Sequence, residues 1–202
     1  MIKTLVYDVG NVLTYWKTRA ICSSIFDNEE DAEICYQQGF CSPLWYIGDS
    51  GASTMEGLAK MMGEGKDEKT KAIIKKGLTT YQLHLIPNAK AIAFLKAKHR
   101  EGFPTYLLSN YSEMFPVSMH TLGVDLEKDV DGYVYSHKEK VCKPDLKIYL
   151  ILAERYHLDL STCLFIDDRQ ENLDGAKKAG FGYTFLFEDN LEQLAEFIKK
   201  NS

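Results

Sequence analysis

The chain has 202 residues, a formal net charge of −5, 45% hydrophobic and 26% charged residues. A chain of this length has roughly 9,600 Å² of folded surface against roughly 33,000 Å² unfolded, so about 70% is buried and one core suffices without metal or disulfide staples. The composition excludes a disordered or fibrous protein, and an acidic balance argues against a general nucleic-acid binder.

The first predicted strand is Ile2–Tyr7, ended by Asp8. Asp8 cuts the apolar run too early for a secretory leader, so a cytoplasmic protein is expected. The longest apolar run, the six residues Ile148 to Ala153, is far short of the ~20 that span a bilayer, so no membrane partner is expected. From about Thr14 to Ile86 the pattern is helical without strands: Thr18–Phe26, Glu29–Phe40, Ser53–Met62 and Lys66–Leu83. Ser53 with Glu56 reads as a capping box, and GDSG at Gly48–Gly51 reads as a turn. A helix over Asn88–His99 and strands over Thr105–Ser109 and Gly132–Tyr135 follow. The remainder reads as helix Asp145–His157, strand Cys163–Ile166, helix Gln170–Ala179, strand Tyr183–Phe187 and helix Leu191–Lys199. Gly180 is a suitable stop for the helix before it.

Several of these strands are continuously apolar, as strands buried on both faces of a parallel sheet are. Alternating strands and helices predict an α/β fold with right-handed crossovers. The interval between the first two strands greatly exceeds the about 10–30 residues that a crossover needs. The excess is expected to be an insert: a core of residues 1–13 and 87–202, and a small helical bundle of residues 14–86. The five cysteines, Cys22, Cys35, Cys41, Cys142 and Cys163, are odd in number and form no CxxC pair. They read as thiols acting as small apolar residues rather than a disulfide framework or zinc site. His84, His99, His120, His137 and His157 show no ligand spacing.

In an open α/β sheet, ligands bind beyond the carboxyl ends of the strands. Asp8 follows the first strand, in VYDVGNVL. Ser109 and Asn110 follow the second, and Asp167 and Asp168 the fourth, in LFIDDRQEN. Lys143 opens a helix in CKPDLKIY. Three carboxylates, a hydroxyl and a lysine then share one rim. Gathered carboxylates suit a hard cation such as Mg²⁺, and a lysine beside them suits an anion on it. Each block also has a structural reading: a strand end at Asp8, a turn at Ser109–Asn110, a helix cap at Asp167–Asp168. Lys143 is harder to read that way, because a cation at a helix start opposes the dipole.

These four blocks, in this order and with the insert after the first, resemble the haloacid dehalogenase superfamily of hydrolases. The first block is most similar to the phosphatase branch whose motif reads DLGNV, which includes sugar-1-phosphate phosphatases. The resemblance covers essentially the whole chain. It implies a Rossmann-like three-layer core with a helical cap, and a Mg²⁺-dependent phosphatase acting on a small phosphorylated metabolite. It implies that Asp8 is the nucleophile that becomes phosphorylated. Ser109 and the Asn110 backbone N–H would hold phosphoryl oxygen, with Lys143 neutralising the nucleophile and phosphoryl group. Asp8, the Gly10 carbonyl and Asp167 would bind the metal, and Asp168 would support metal or lysine. Asn172 completes the DDxxxN pattern and is read as shaping the turn. Two other readings remain: a metal-independent haloacid hydrolase, and a binding protein that kept the fold.

One position departs from most phosphatases of the superfamily, which carry Asp two residues after the nucleophile as general acid–base. Here that residue is Gly10. General acid–base help is worth about 10²–10⁴-fold, so the rate is expected to depend steeply on the leaving group unless another acid replaces it. Glycine there is explained by φ > 0 or by close backbone approach to a metal. Trp45 and Tyr46, in PLWYIGD, read as packing within the insert, with pocket lining as the alternative. Trp16 and Arg19 are weaker candidates of the same kind.

Overall fold

In the computed structural model, which describes residues 1–202, the chain begins with β1 (Thr4–Tyr7), β2 (Thr14–Tyr15), α1 (Thr18–Ile25), α2 (Glu29–Cys35), α3 (Trp45–Asp49), α4 (Met55–Met62) and α5 (Glu68–Thr80). It continues through β3 (Ile86–Pro87), α6 (Ala89–Arg100), β4 (Thr105–Ser109), α7 (Phe115–Thr121), β5 (Gly132–Tyr135) and α8 (Ser136–Glu139). It closes with α9 (Leu146–Tyr156), β6 (Cys163–Asp167), α10 (Gln170–Ala179), β7 (Tyr183–Leu186) and α11 (Leu191–Asn201). The main sheet is parallel throughout, in the order β5-β4-β1-β6-β7. The fold is the α/β, Rossmann-like arrangement expected from the alternation.

Side-chain alternation explains the continuously apolar strands. Leu5, Tyr7, Leu107, Leu164 and Ile166 face one apolar layer. Val6, Tyr106, Leu108, Cys163 and Phe165 face the other. The first layer is closed by Ile92 and Leu95 of α6, Leu194 and Ile198 of α11, and residues of the helical insert. The second is closed by Ile148, Tyr149 and Leu152 of α9 with Leu173 and Ala176 of α10. Each such buried aliphatic side chain contributes about 1.5–3 kcal/mol of transfer free energy. Strand order turns around at β1, which has β4 on one side and β6 on the other. Reversal of strand order opens a crevice at the carboxyl ends, and β1 delivers Asp8 into it.

The insert joins the core through a feature not predicted, a ribbon of β2 paired antiparallel with β3. Thr14 Oγ1 donates to the Ile86 carbonyl at 2.8 Å, and Asn88 N donates to the Leu13 carbonyl at 2.9 Å. Two-residue strands are too short to leave a period-2 signal. Four other local readings are corrected. The cap of α4 is Thr54, whose Oγ1 accepts from Gly57 N at 3.1 Å; the Ser53–Glu56 box does not form, and Glu56 pairs instead with Lys75 at 2.6 Å. Gly48 and Asp49 end α3 rather than lying in a turn. The expected second helix changes to a π-turn at Tyr36–Phe40. Lys143 lies ahead of α9, whose cap is Asp145, rather than opening that helix.

Candidate active site

Asp8 extends the β1–β6 ladder by one bond, from its N–H to the Ile166 carbonyl at 2.9 Å. The ladder therefore aims its carboxylate at the rim. Asp167 closes β6, and Asp168 follows it. Carboxylate oxygens of Asp8, Asp167 and Asp168 lie within 4.8 Å of one another. Ser109 is buried at the end of β4 and lines the same cavity as Asp8, Gly10, Asn110, Lys143 and Asp168. The fold thus brings together residues that the sequence separates by up to 160 positions.

Lys143 is the electrostatic centre. Its Nζ donates to Asp167 Oδ2 at 2.7 Å and to the Leu108 carbonyl at 2.9 Å. It also lies 2.8 Å from Asp8 Oδ1. That contact is a buried ion pair, which joins the nucleophile candidate to the same ammonium as Asp167. Burial pushes the ammonium pKa down, but the charges of Asp167 and Asp8 outweigh it and hold the group above its ordinary value. Burial pushes the Asp8 carboxyl up to about 6, against the attraction of Lys143 and with the Asp167 charge adding to the rise.

A lysine in a loop needs something to fix its main chain. The Asn110 side chain does this from β4, accepting from Lys143 N at 2.7 Å and donating to the Lys143 carbonyl at 2.9 Å. Asn110 therefore has a side-chain task beyond the backbone N–H singled out from the sequence. Asn172 likewise does more than shape a turn, since its Nδ2 donates to both oxygens of Asp167, at 2.9 and 3.1 Å. With Arg169 N donating to Asp167 Oδ1 at 2.9 Å, both Asp167 oxygens are taken by protein donors. Asp168 is different. It accepts from Asn11 Nδ2 at 3.0 Å, is half-buried, and has its pKa raised first by burial. It makes no helix cap, because Arg169 occupies the cap position of α10.

Gly10 does not owe its glycine to a left-handed backbone. Its φ is not positive, and a Cβ there would meet only Asp8 Oδ2, at 4.0 Å. The left-handed residue is its neighbour Asn11, at φ 52°, a conformation asparagine tolerates better than most. Asn11 Oδ1 accepts from Trp16 N at 3.1 Å, so Asn11 ties the first motif both to Asp168 and to the start of the insert.

The opposite wall is aromatic. Trp16, Trp45 and Tyr81 line the cavity, with ring centroids 5.6–5.8 Å apart, and Phe40 stacks on Trp45 at 5.0 Å. Trp45 thus both packs within the insert and lines the pocket. Tyr46 is 66% exposed and points elsewhere. Arg19 pairs with Glu33 and lies 4.0 Å over the Tyr36 ring, outside the cavity. Asp49, at the end of α3, lines the cavity too. Sequence reasoning passed over it. Its only signal was an acid ending the apolar run WYIG, the same pattern that marked Asp8.

The donor set fits a hard divalent cation. Carboxylate oxygens of Asp8, Asp167 and Asp168 gather within 4.8 Å of one another, and oxygen-only clusters of this kind suit Mg²⁺ or Ca²⁺. The cluster lies at the carboxyl edge of the parallel sheet of a Rossmann-like core. The sequence matches the haloacid dehalogenase-like hydrolases over residues 2–180, and the chain belongs to that family. No curated protein matches it.

Solved structures share the fold. A HAD family enzyme of Bacteroides thetaiotaomicron, bt-2542, in a wild-type complex with magnesium and inorganic phosphate, is 24% identical with a TM-score of 0.62 over 92% of this chain and 93% of that one. A predicted HAD-like family hydrolase of Porphyromonas gingivalis is 18% identical with a TM-score of 0.71, covering 98% of both chains. The L-2-haloacid dehalogenase of Xanthobacter autotrophicus, with chloropropionic acid covalently bound, is 19% identical with a TM-score of 0.63 over 91% of this chain and 76% of that one. No helix is long and apolar enough to cross a membrane.

Proposed function

We propose that the protein is a Mg²⁺-dependent phosphatase that acts on a small phosphomonoester through an aspartyl phosphate on Asp8. The observation that carries this reading is the charge set: three carboxylates within 4.8 Å of one another against one buried ammonium, Lys143. Excess negative charge held away from water calls for a cation. Asp8, Asp168 and the Gly10 carbonyl would hold Mg²⁺, and Asp167, saturated by Lys143, Arg169 N and Asn172, would position the lysine. This reverses the weights that the resemblance gave the two acids, because only Asp168 keeps free lone pairs toward the cavity. Bound Mg²⁺ offsets the repulsion between carboxylate and phosphoryl group and clamps the latter.

Asp8 attacks phosphorus, and the new O–P bond forms as the bond to the leaving oxygen breaks. Lys143 Nζ, the Ser109 hydroxyl and the Asn110 backbone N–H hold the equatorial oxygens as charge develops. Water then attacks phosphorus, releases phosphate and regenerates Asp8. The helical insert serves as a lid that excludes bulk water and selects the leaving group. A cavity of about 180 Å³ suits a small metabolite rather than a macromolecule. The insert lines it with Trp16, Trp45, Tyr81 and Asp49, without lysine or arginine. That wall suits an uncharged leaving group, such as a sugar or polyol whose C–H faces lie on aromatic rings.

The likeness to a haloacid dehalogenase raises a second reading, an attack of Asp8 on a carbon–halogen bond. That chemistry needs no dication and leaves the carboxylate excess uncompensated. The experiment is a panel of sugar, polyol and aryl phosphates beside a panel of 2-haloacids, each with Mg²⁺ and with a chelator. Phosphate release that needs Mg²⁺ is expected. Halide release that survives the chelator would overturn the proposal.

A further inference from the structure

Loss of the acid at Gly10 leaves the departing oxygen without an evident proton donor on the core. The insert brings one. Asp49 is the only carboxylate that the insert contributes to the cavity, and it stands outside the three-carboxylate cluster. It lines the cavity beside Trp45 and Tyr81, and its carboxyl is near enough to Asp8 to feel that charge.

Its main chain is held there by the core. Ser136 Oγ donates to the Asp49 carbonyl, His137 Nδ1 donates to the Gly48 carbonyl at 3.1 Å, and Lys140 Nζ donates to the Gly51 carbonyl. Four residues further on, Met55 N donates to Glu113 Oε1 at 2.5 Å. Gly51 sits at φ 72°, and a Cβ there would lie 2.2 Å from the His137 carbonyl oxygen, so the two backbones are in direct contact. This clasp fixes where Asp49 begins without using its side chain. A loop that merely covered the site would need no such series of bonds from α8 and from the segment ahead of α7.

We infer that Asp49 protonates the leaving-group oxygen and so replaces the side chain missing at Gly10, an assignment that rests on the phosphatase reading above. In the first step the carboxyl proton passes to the leaving oxygen as its bond to phosphorus breaks, giving the free alcohol and the Asp49 carboxylate. In the second step that carboxylate takes a proton from the attacking water, phosphate leaves Asp8, and Asp49 is again protonated. One group serves both steps, and no proton is gained or lost by the protein over the cycle.

The environment suits a carboxyl that must carry a proton near neutrality. Burial pushes the Asp49 pKa up to about 7, the Trp45 side chain opposes the rise, and the Asp8 charge adds to it. Tyr81, Tyr111 and Cys142 also face it closely enough to feel its charge. Lys143 and Asp168 lie across the cavity, His137, Lys140 and Glu113 form the clasp, and on α4 Glu56 and Lys60 are exposed.

The test compares Asp49→Asn with the parent protein, both with saturating Mg²⁺, on two phosphomonoesters of similar size: 4-nitrophenyl phosphate, whose leaving group needs no proton, and benzyl phosphate, whose leaving group does. Asn keeps the size of the side chain and every clasp bond, so the melting temperature should hold. Expected is a loss of about 10²–10⁴-fold in kcat/KM on the benzyl ester with at most a small loss in kcat/KM on the nitrophenyl ester, because kcat/KM reports only the steps through departure of the leaving group, while kcat falls on both esters as the shared water step loses its base. In the parent, kcat/KM on the benzyl ester falls as pH rises through about 7, because Asp49 loses the proton it must donate; the variant lacks that limb. Equal losses in kcat/KM on both esters, or an unchanged pH limb, would overturn the assignment of Asp49 and leave the phosphatase reading standing. Absence of Mg²⁺-dependent turnover of either ester by the parent would instead overturn the phosphatase reading itself.

Discussion

Replacing Lys143 with methionine removes the ammonium and keeps most of the side chain's volume. The side chain of Lys143 is 1% exposed, and those of Asp8 and Asp167 are 9% and 0%. Methionine would therefore leave two carboxylates without their only buried cation. Removing one partner of a buried ion pair costs about 3–5 kcal/mol, against a total stability of about 5–15 kcal/mol. For a chain of this size each kcal/mol moves the melting temperature by about 2–4 °C, so a fall of about 6–20 °C is expected near pH 8 without divalent metal. The pH dependence has a definite sign. Asp8 already sits at about 6 in the folded protein, above the about 3.9 of an unfolded aspartate, and loss of the lysine raises it further. A folded-state pKa above the unfolded value destabilises as pH rises through that window. The deficit of the variant should therefore shrink on acidification toward about pH 4. Adding Asp8→Asn should restore part of it. Urea titrations of the three proteins at about pH 5 and about pH 8 measure this. A Lys143→Met variant within about 1 kcal/mol of the parent at the higher pH would refute the buried-charge account.

Two further outcomes follow from the same geometry. Asp168→Asn should weaken Mg²⁺ binding, measured by titration calorimetry, by more than about 100-fold, whereas Asp167→Asn, acting through Lys143, should cost about 10–100-fold; equal losses would contradict the division of roles between the two acids. Gly51→Ala places a Cβ 2.2 Å from the His137 carbonyl oxygen at a φ of 72° and should loosen the clasp, lowering kcat/KM about 10²-fold through misplacement of Asp49; unchanged kinetics would show that the clasp does not set the position of that acid.

Much of the site is legible in the sequence because a parallel sheet maps strand ends onto one rim. Asp8, Ser109 and Asp167 each follow or close an apolar strand, so their convergence follows from topology alone. Asn110 and Asn172 lie in the same blocks, but their work is done by side-chain amides on Lys143 and Asp167, partners 33 and 5 residues away. No spacing rule announces such bonds. Asp49 was hidden for a different reason: its role depends on where the insert docks, and docking is set by hydrogen bonds between Gly48–Met55 and Glu113–Lys140, segments with no local periodicity. The β2–β3 ribbon is too short to pattern, and Thr54 beside Ser53 offers two equivalent caps between which tertiary contact chooses. Gly10 shows the converse case, a glycine whose backbone conformation and protein neighbours would accept a side chain, which leaves close approach of its carbonyl to a cation as the explanation that fits the proposed metal site.

The central claim is that Asp8 carries the phosphoryl group during turnover. The direct measurement is rapid acid quench of the Mg²⁺-loaded protein during turnover of 4-nitrophenyl phosphate, followed by proteolysis and mass spectrometry of the peptide containing Asp8, with Asp8→Asn as the control. The account predicts one phosphoryl group on Asp8 at early times, absent in the variant, which should also lose turnover. Steady phosphate release with Asp8 never modified, or a variant that still turns over, would contradict it.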